Sequence, residues 1–176
     1  MFSNQNDSTS GRLPPGTPLW VIILTCIISL WLNTLPIPLG IYALCPDFLL
    51  CTLIFWAVFE STKIGILSAW FLGLFMDVIH GTLLSQHSLC YAFAVFFAIM
   101  LKRRLFRFSP LYQSIHIAPI TFLGQATVYW ISGLRNNEFN YPFHLLLGNL
   151  WVIPLWIIGC HCMFRWRRHT LLHTLD

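Results

Sequence analysis

Nine of the ten lysines and arginines in this chain fall in alternate gaps between apolar runs, and that parity constrains the fold more than any other feature. A cationic side chain crosses a bilayer at high cost, and inserting helices retain such residues on the cytoplasmic side. Arg12, then Lys63, then Lys102, Arg103, Arg104 and Arg107, then Arg165, Arg167 and Arg168 share one side, while Arg135 alone lies on the other. Only an even number of crossings reconciles these groups. The sequence therefore predicts an all-α, polytopic membrane protein: a six-helix bundle with short loops and both termini in the cytoplasm.

Composition supports the same reading. With 57% hydrophobic and 9% charged residues and a mean hydropathy of +0.70, the chain departs from soluble domains, whose charged fraction is about 25%. Six spans of roughly 20 residues use up the length and leave no second domain. The net charge of +4 does not point to nucleic acid, because the cations cap apolar runs and form no basic face interleaved with aromatics. Membrane lipids with anionic headgroups fit them better. Five of the six cysteines lie inside apolar runs, where cysteine acts as a small hydrophobe, and no disulfide framework is expected. The first run ends at Leu35-Pro36 without small residues placed for cleavage, so this span should stay in the mature protein.

Residues 1–18 are rich in Ser, Asn, Gly and Pro and read as a flexible cytoplasmic tail. The membrane domain covers 19–164, with spans at 19–35, 47–59, 64–79, 88–101, 111–134 and 143–164, and 165–176 form a basic cytoplasmic tail. Spans two and three are short for a bilayer about 30 Å thick. They form either a tight pair of crossings or a re-entrant hairpin; the sign of Lys63 and the later charges favours two crossings.

Span three carries the densest pattern, with Ser61, Gly65, Ala69, Gly73, Asp77 and Gly81 at four-residue intervals. Small residues so spaced let another helix approach closely, which drives packing where lipid is as apolar as leucine. An internal helix contact explains the row without any partner protein. Asp77 is costly in a span unless paired, hydrated or protonated. Three readings stay open for it: a carboxylate reaching water or capping nearby amides, a hydrogen bond inside the bundle, or proton or substrate chemistry. His80 and His87 flank the following loop, but they form no spaced ligand set, so no metal and no cofactor is expected. The chain has no Gly-x-Ser-x-Gly elbow, paired carboxylates or phosphate loop, and no catalytic residue is assigned. Asn149 and Pro154 in span six, with the polar residues of span five, read as structural polar groups between helices.

Gly73-Leu74-Phe75-Met76-Asp77, then Gly81, then Leu84-Ser85-Gln86-His87-Ser88-Leu89-Cys90-Tyr91 form a glycine-aspartate helix end and turn. Pro46-Asp47, Trp56, Lys102, Arg103, Asn149 and Pro154 accompany it in order. The arrangement resembles the bacterial rod shape-determining protein MreD family. The chain departs from that pattern at Ser85, where the family usually has glycine, and at Gln86, a commonly apolar place. The resemblance implies a non-enzymatic inner-membrane scaffold of cell elongation that binds the bitopic protein MreC. Through it, MreB filaments would be linked to the wall synthases RodA and penicillin-binding protein 2. Gly65, Ala69, Gly73, Asp77, Gly81 and His87 are then the candidate helix-packing or partner-binding residues. The alternative is a vitamin-type substrate-binding subunit of a transporter, which needs a closed polar pocket with aromatic walls.

Overall fold

Helix boundaries in this chain follow from a few local signals. The computed structural model describes residues 17–35, 45–136 and 148–173. Helix α1, Leu19–Thr34, starts after extended Pro18 and stops at extended Leu35, because the residue before Pro36 disfavours the helical region. Helix α2, Phe48–Phe59, begins at Asp47, whose carboxylate accepts the Leu50 N–H at 3.0 Å and satisfies an end amide that has no intrahelical partner. Helix α3, Ile66–His80, opens with Ser68 Oγ accepting the Gly65 N–H at 3.0 Å and closes at Gly81, which is left-handed at φ 60°. Helix α4 is Gln86–Leu105, α5 is Pro110–Asn136 and α6 is Val152–His173. Pro110 suits the first helical position, where the missing N–H has no partner to lose.

Five of the six expected segments coincide with α1 to α5 within a few residues. The sixth differs: α6 starts at Val152 and continues beyond Phe164 to His173, while 143–147 lie outside the described residues. Arg165, Arg167 and Arg168 therefore sit on this helix. Of the expected flexible tail at 1–18, residues 1–16 with Arg12 lie outside the described residues. Thr17 is buried and its N–H donates to Glu60 Oε1 at 2.9 Å, so the ordered part begins before residue 19.

The helices alternate in direction, as their contacts demonstrate. Antiparallel α1 and α2 are joined by Ser29–Thr52 at 2.6 Å and by Trp56 Nε1–H donating to Thr25 Oγ1 at 2.9 Å. Helices α3 and α4 form the closest hairpin, α4 packs on α5, and α5 packs on α6. Helix α2 is central: eight of its twelve residues are buried, and Phe55 and Phe59 meet Trp156 of α6 with ring centroids 5.5 and 6.3 Å apart. This alternation gathers Lys63, Lys102, Arg103, Arg104, Arg107, Arg165 and Arg168 at one end.

The exterior is apolar. Leu67, Phe71, Phe75 and Val78 of α3 and Leu89, Phe93 and Phe97 of α4 are exposed, as are Trp20, Ile27 and Trp31 of α1. Six helices and no strand occur among the described residues. Among them no helix is long and apolar enough to cross a membrane. Helices α1, α2 and α3 have 16, 12 and 15 residues, short of the roughly 20 that a span takes. The longer α4 and α6 end in basic residues.

Candidate functional site

The end of the bundle opposite the Lys63, Lys102 and Arg165 group is organised by two carboxylates, each of which ties together helix starts and ends. Asp77, one turn before the end of α3, is 1% exposed. Its Oδ1 accepts the backbone N–H of His87 at 2.8 Å, His87 Nδ1–H at 2.8 Å and the Thr82 hydroxyl at 2.9 Å. Its Oδ2 accepts the Ser88 N–H at 3.4 Å. The two amides belong to the first turn of α4, so a side chain from the preceding helix caps the next one. That placement puts a negative charge on the positive end of the α4 dipole.

Ser85 leaves the capping role open to Asp77. It precedes α4 in a left-handed conformation, φ 83°, and its side chain makes no cap bond. The departure from the family's glycine thus falls at the one non-glycine residue of positive φ among those described, where a Cβ is disfavoured. Gly81 at φ 60° makes the other reversal, with Thr82 N–H donating to the Asp77 carbonyl at 3.1 Å. Gln86 is 4% exposed, and its Nε2 donates to the Val128 carbonyl and to Ser132 Oγ, both at 2.7 Å. A residue commonly apolar in the family is here a polar tie to α5.

The four-residue row does not behave as one face. A Cβ on Gly73 would stand 2.3 Å from Ser88 Cα and 2.6 Å from Ser88 N, so this glycine lets the first turn of α4 lie directly on α3. Ala69 is fully buried. Gly65 and Gly81 have no atom within 4 Å of a Cβ position. The structure brings Gly73, Asp77 and His87 together and leaves Gly65 and Gly81 at the two ends of α3 as caps.

Asp47 is the second centre, and sequence reasoning assigned it no role. Its Oδ1 accepts Asn33 Nδ2–H at 2.8 Å beside the Leu50 amide, and its Oδ2 accepts the Tyr91 hydroxyl at 2.6 Å. Asn33 Oδ1 in turn accepts the Phe48 N–H at 3.0 Å. The end of α1, the start of α2 and the second turn of α4 meet here. An aspartate immediately before an apolar run is a helix-start signal, so the cap was legible; its partners Asn33 and Tyr91 were not. His87 joins the two centres, with its ring 6.0 Å from that of Tyr91 and 5.9 Å from that of His80.

Asn149 bridges to α5: its Oδ1 accepts the Thr121 hydroxyl at 2.6 Å and its Nδ2–H donates to the Ala118 carbonyl at 2.8 Å. Pro154 sits in the first turn of α6, where it removes no needed donor. At the opposite end, Lys63 pairs with Glu60 at 3.9 Å and bonds the Thr17 carbonyl, and Lys102 donates to Ser61 Oγ at 2.7 Å. Arg103, Arg104, Arg107, Arg165 and Arg168 are exposed. Among the described residues no three His, Cys, Asp or Glu side chains gather as metal ligands do.

The sequence model of the rod shape-determining protein MreD family matches residues 17–163, which include both carboxylate centres and the whole glycine-aspartate turn. The chain belongs to the MreD family. It is similar to the rod shape-determining protein MreD of Haemophilus influenzae, with 25% identity over 155 residues, 88% of this chain and 95% of that protein. No solved structure matches the chain. MreD is a family of shape-determining structural proteins and not a known enzyme family, and its members are membrane proteins. Membership supports a role in rod shape determination and a membrane location for this chain.

Proposed function

We propose that this chain is a non-enzymatic inner-membrane scaffold of the rod complex, with six spans and both termini in the cytoplasm. It binds MreC and through it links MreB to RodA and penicillin-binding protein 2. The observation that carries the reading is the inverted distribution of polarity: apolar side chains cover the outside of α1, α3 and α4, while Asp77, Gln86, Ser88, Gln113, Thr121 and Asn149 are buried and bonded across helices. A monomer in water rarely exposes so much contiguous apolar surface. Lipid tolerates it, and short helices adapt by local thinning of the bilayer and by polar ends that reach the headgroups.

The scaffold role follows from what the polar groups do. Asp77 and Asp47 hold helix ends, and the Thr82 hydroxyl and the His87 ring both turn to the Asp77 carboxylate as part of that tie. Gly73, Asp77 and His87 fix the α3–α4 hairpin in the shape that MreC recognises, and the cationic end faces the cytoplasm and its anionic lipids. Co-purification of MreC from native membranes tests this. Gly73→Leu should reduce MreC recovery at equal expression, whereas Gly65→Ala should not. Unchanged MreC recovery with Gly73→Leu overturns the assignment of the hairpin.

A further inference from the structure

We infer that the cavity beside the Asp47 centre binds a small uncharged molecule carrying a carboxamide or hydroxyl group on an apolar ring. The cavity is about 300 Å³ and lies between α1, α2, α4 and α5, with Met76 and His80 from the end of α3 in its wall. That volume is at the lower end of small-molecule sites. Its walls combine Leu32, Phe48 and Val128 with Gln125, Tyr129 and Ser132 of α5.

Two polar atoms of this wall have no hydrogen-bond partner among the described residues: Gln125 Oε1 and the Tyr129 hydroxyl, both buried. Buried polar atoms in folded proteins are nearly always paired, so each such exception calls for an explanation. Residues 125 and 129 are one turn apart on α5, near enough for one planar group to serve both. The glutamine oxygen needs a donor, and the tyrosine hydroxyl donates or accepts. A carboxamide supplies an N–H and a carbonyl in one plane, and a ring attached to it fits the apolar wall.

The surroundings select a neutral ligand. Asp47 lines the cavity, but its oxygens already accept from Asn33, Leu50 and Tyr91, so it offers a cation little. No lysine or arginine lines the cavity among the described residues. Of its two histidines, His87 turns Nδ1 to Asp77 and His80 turns Nδ1 to the Met76 carbonyl, so neither offers that nitrogen to an anion. The ligand is recognised by Gln125 and Tyr129 of α5, and neither Gly73 nor Ser88 lines the cavity.

Thermal unfolding of the full chain in lipid nanodiscs tests the site, with benzamide and phenol as probes and benzoate and benzylamine as charged counterparts. At least one neutral probe should raise the midpoint saturably by about 3 °C or more, and the charged counterparts should do so less. Gln125→Leu and Tyr129→Phe remove the two oxygens that have no partner among the described residues, so both variants should fold and lose about half or more of the shift. Val128→Phe narrows the cavity from its apolar side and should abolish the shift, which keeps the test decisive if either polar variant unfolds. No saturable response to either neutral probe, an equal response in all three variants, or equal binding of a charged counterpart overturns the inference. So does protection of Cys45, a wall residue, from maleimide by MreC without any response to the probes, because a partner side chain then fills the space.

Discussion

Asp77 replaces a missing N-cap, and its removal should cost more than an ordinary cap. Asp77→Ala would leave the His87 and Ser88 amides and the His87 ring N–H without their acceptor in a site 1% exposed. A loss of about 2–3 kcal/mol is expected, near the upper end for a buried donor left unpaired, and denaturant unfolding of the purified protein measures it. Ser85→Gly should act in the opposite sense. The φ of 83° at Ser85 costs a residue with a Cβ about 1–2 kcal/mol, partly offset by the freedom glycine gains when unfolded. A net stabilisation of about 0.5–1 kcal/mol follows, and a lower unfolding midpoint would rule out strain at this turn. Tyr91→Phe deletes the 2.6 Å bond to Asp47 and should destabilise by about 1–2 kcal/mol, with near-normal spectra because the ring itself remains.

Helix α3 shows how one spacing supports different roles. Gly65 and Gly73 are two steps apart in the same four-residue row, yet a Cβ on the first meets nothing within 4 Å and on the second meets Ser88 Cα at 2.3 Å. Gly73→Ala should therefore separate α3 from α4 at a cost of about 1–3 kcal/mol, the range for overpacking. Gly65→Ala should cost no more than about 0.5–1 kcal/mol, since only a helix-cap preference is lost. Parallel melts of the two variants decide the matter, and equal costs would mean that the row acts through helix propensity. The sequence pattern made α3 the helix to watch but gave no means of ranking its glycines. A row with a four-residue period drifts around a helix of 3.6 residues per turn, so only the partner's position says which step is in contact.

At the scale of the whole molecule, the charges at one end and the apolar exterior lead to a single expectation. Reporter fusions after Lys102 and at the carboxyl end should report the cytoplasm, and a fusion near Arg135 the opposite side; any other result breaks the parity on which the six-span arrangement rests. Six helices, five of them with their limits, were legible from hydropathy, proline and glycine signals, and cation placement, because each is a property of residues adjacent along the chain. The α6 limits were not: Val152 begins it and His173 ends it, although the apolar run that marks it has other bounds. Asp77 stood out on its own as an ionisable residue in an apolar stretch, and His87 by its place in the turn. The Asp47–Asn33–Tyr91 tie and the Gln86 link to α5 emerged only once distant segments were placed side by side. Local pattern determined the elements and their charged end by itself. Which polar group answers which depended on distances between residues tens of positions apart, and tertiary packing alone sets those.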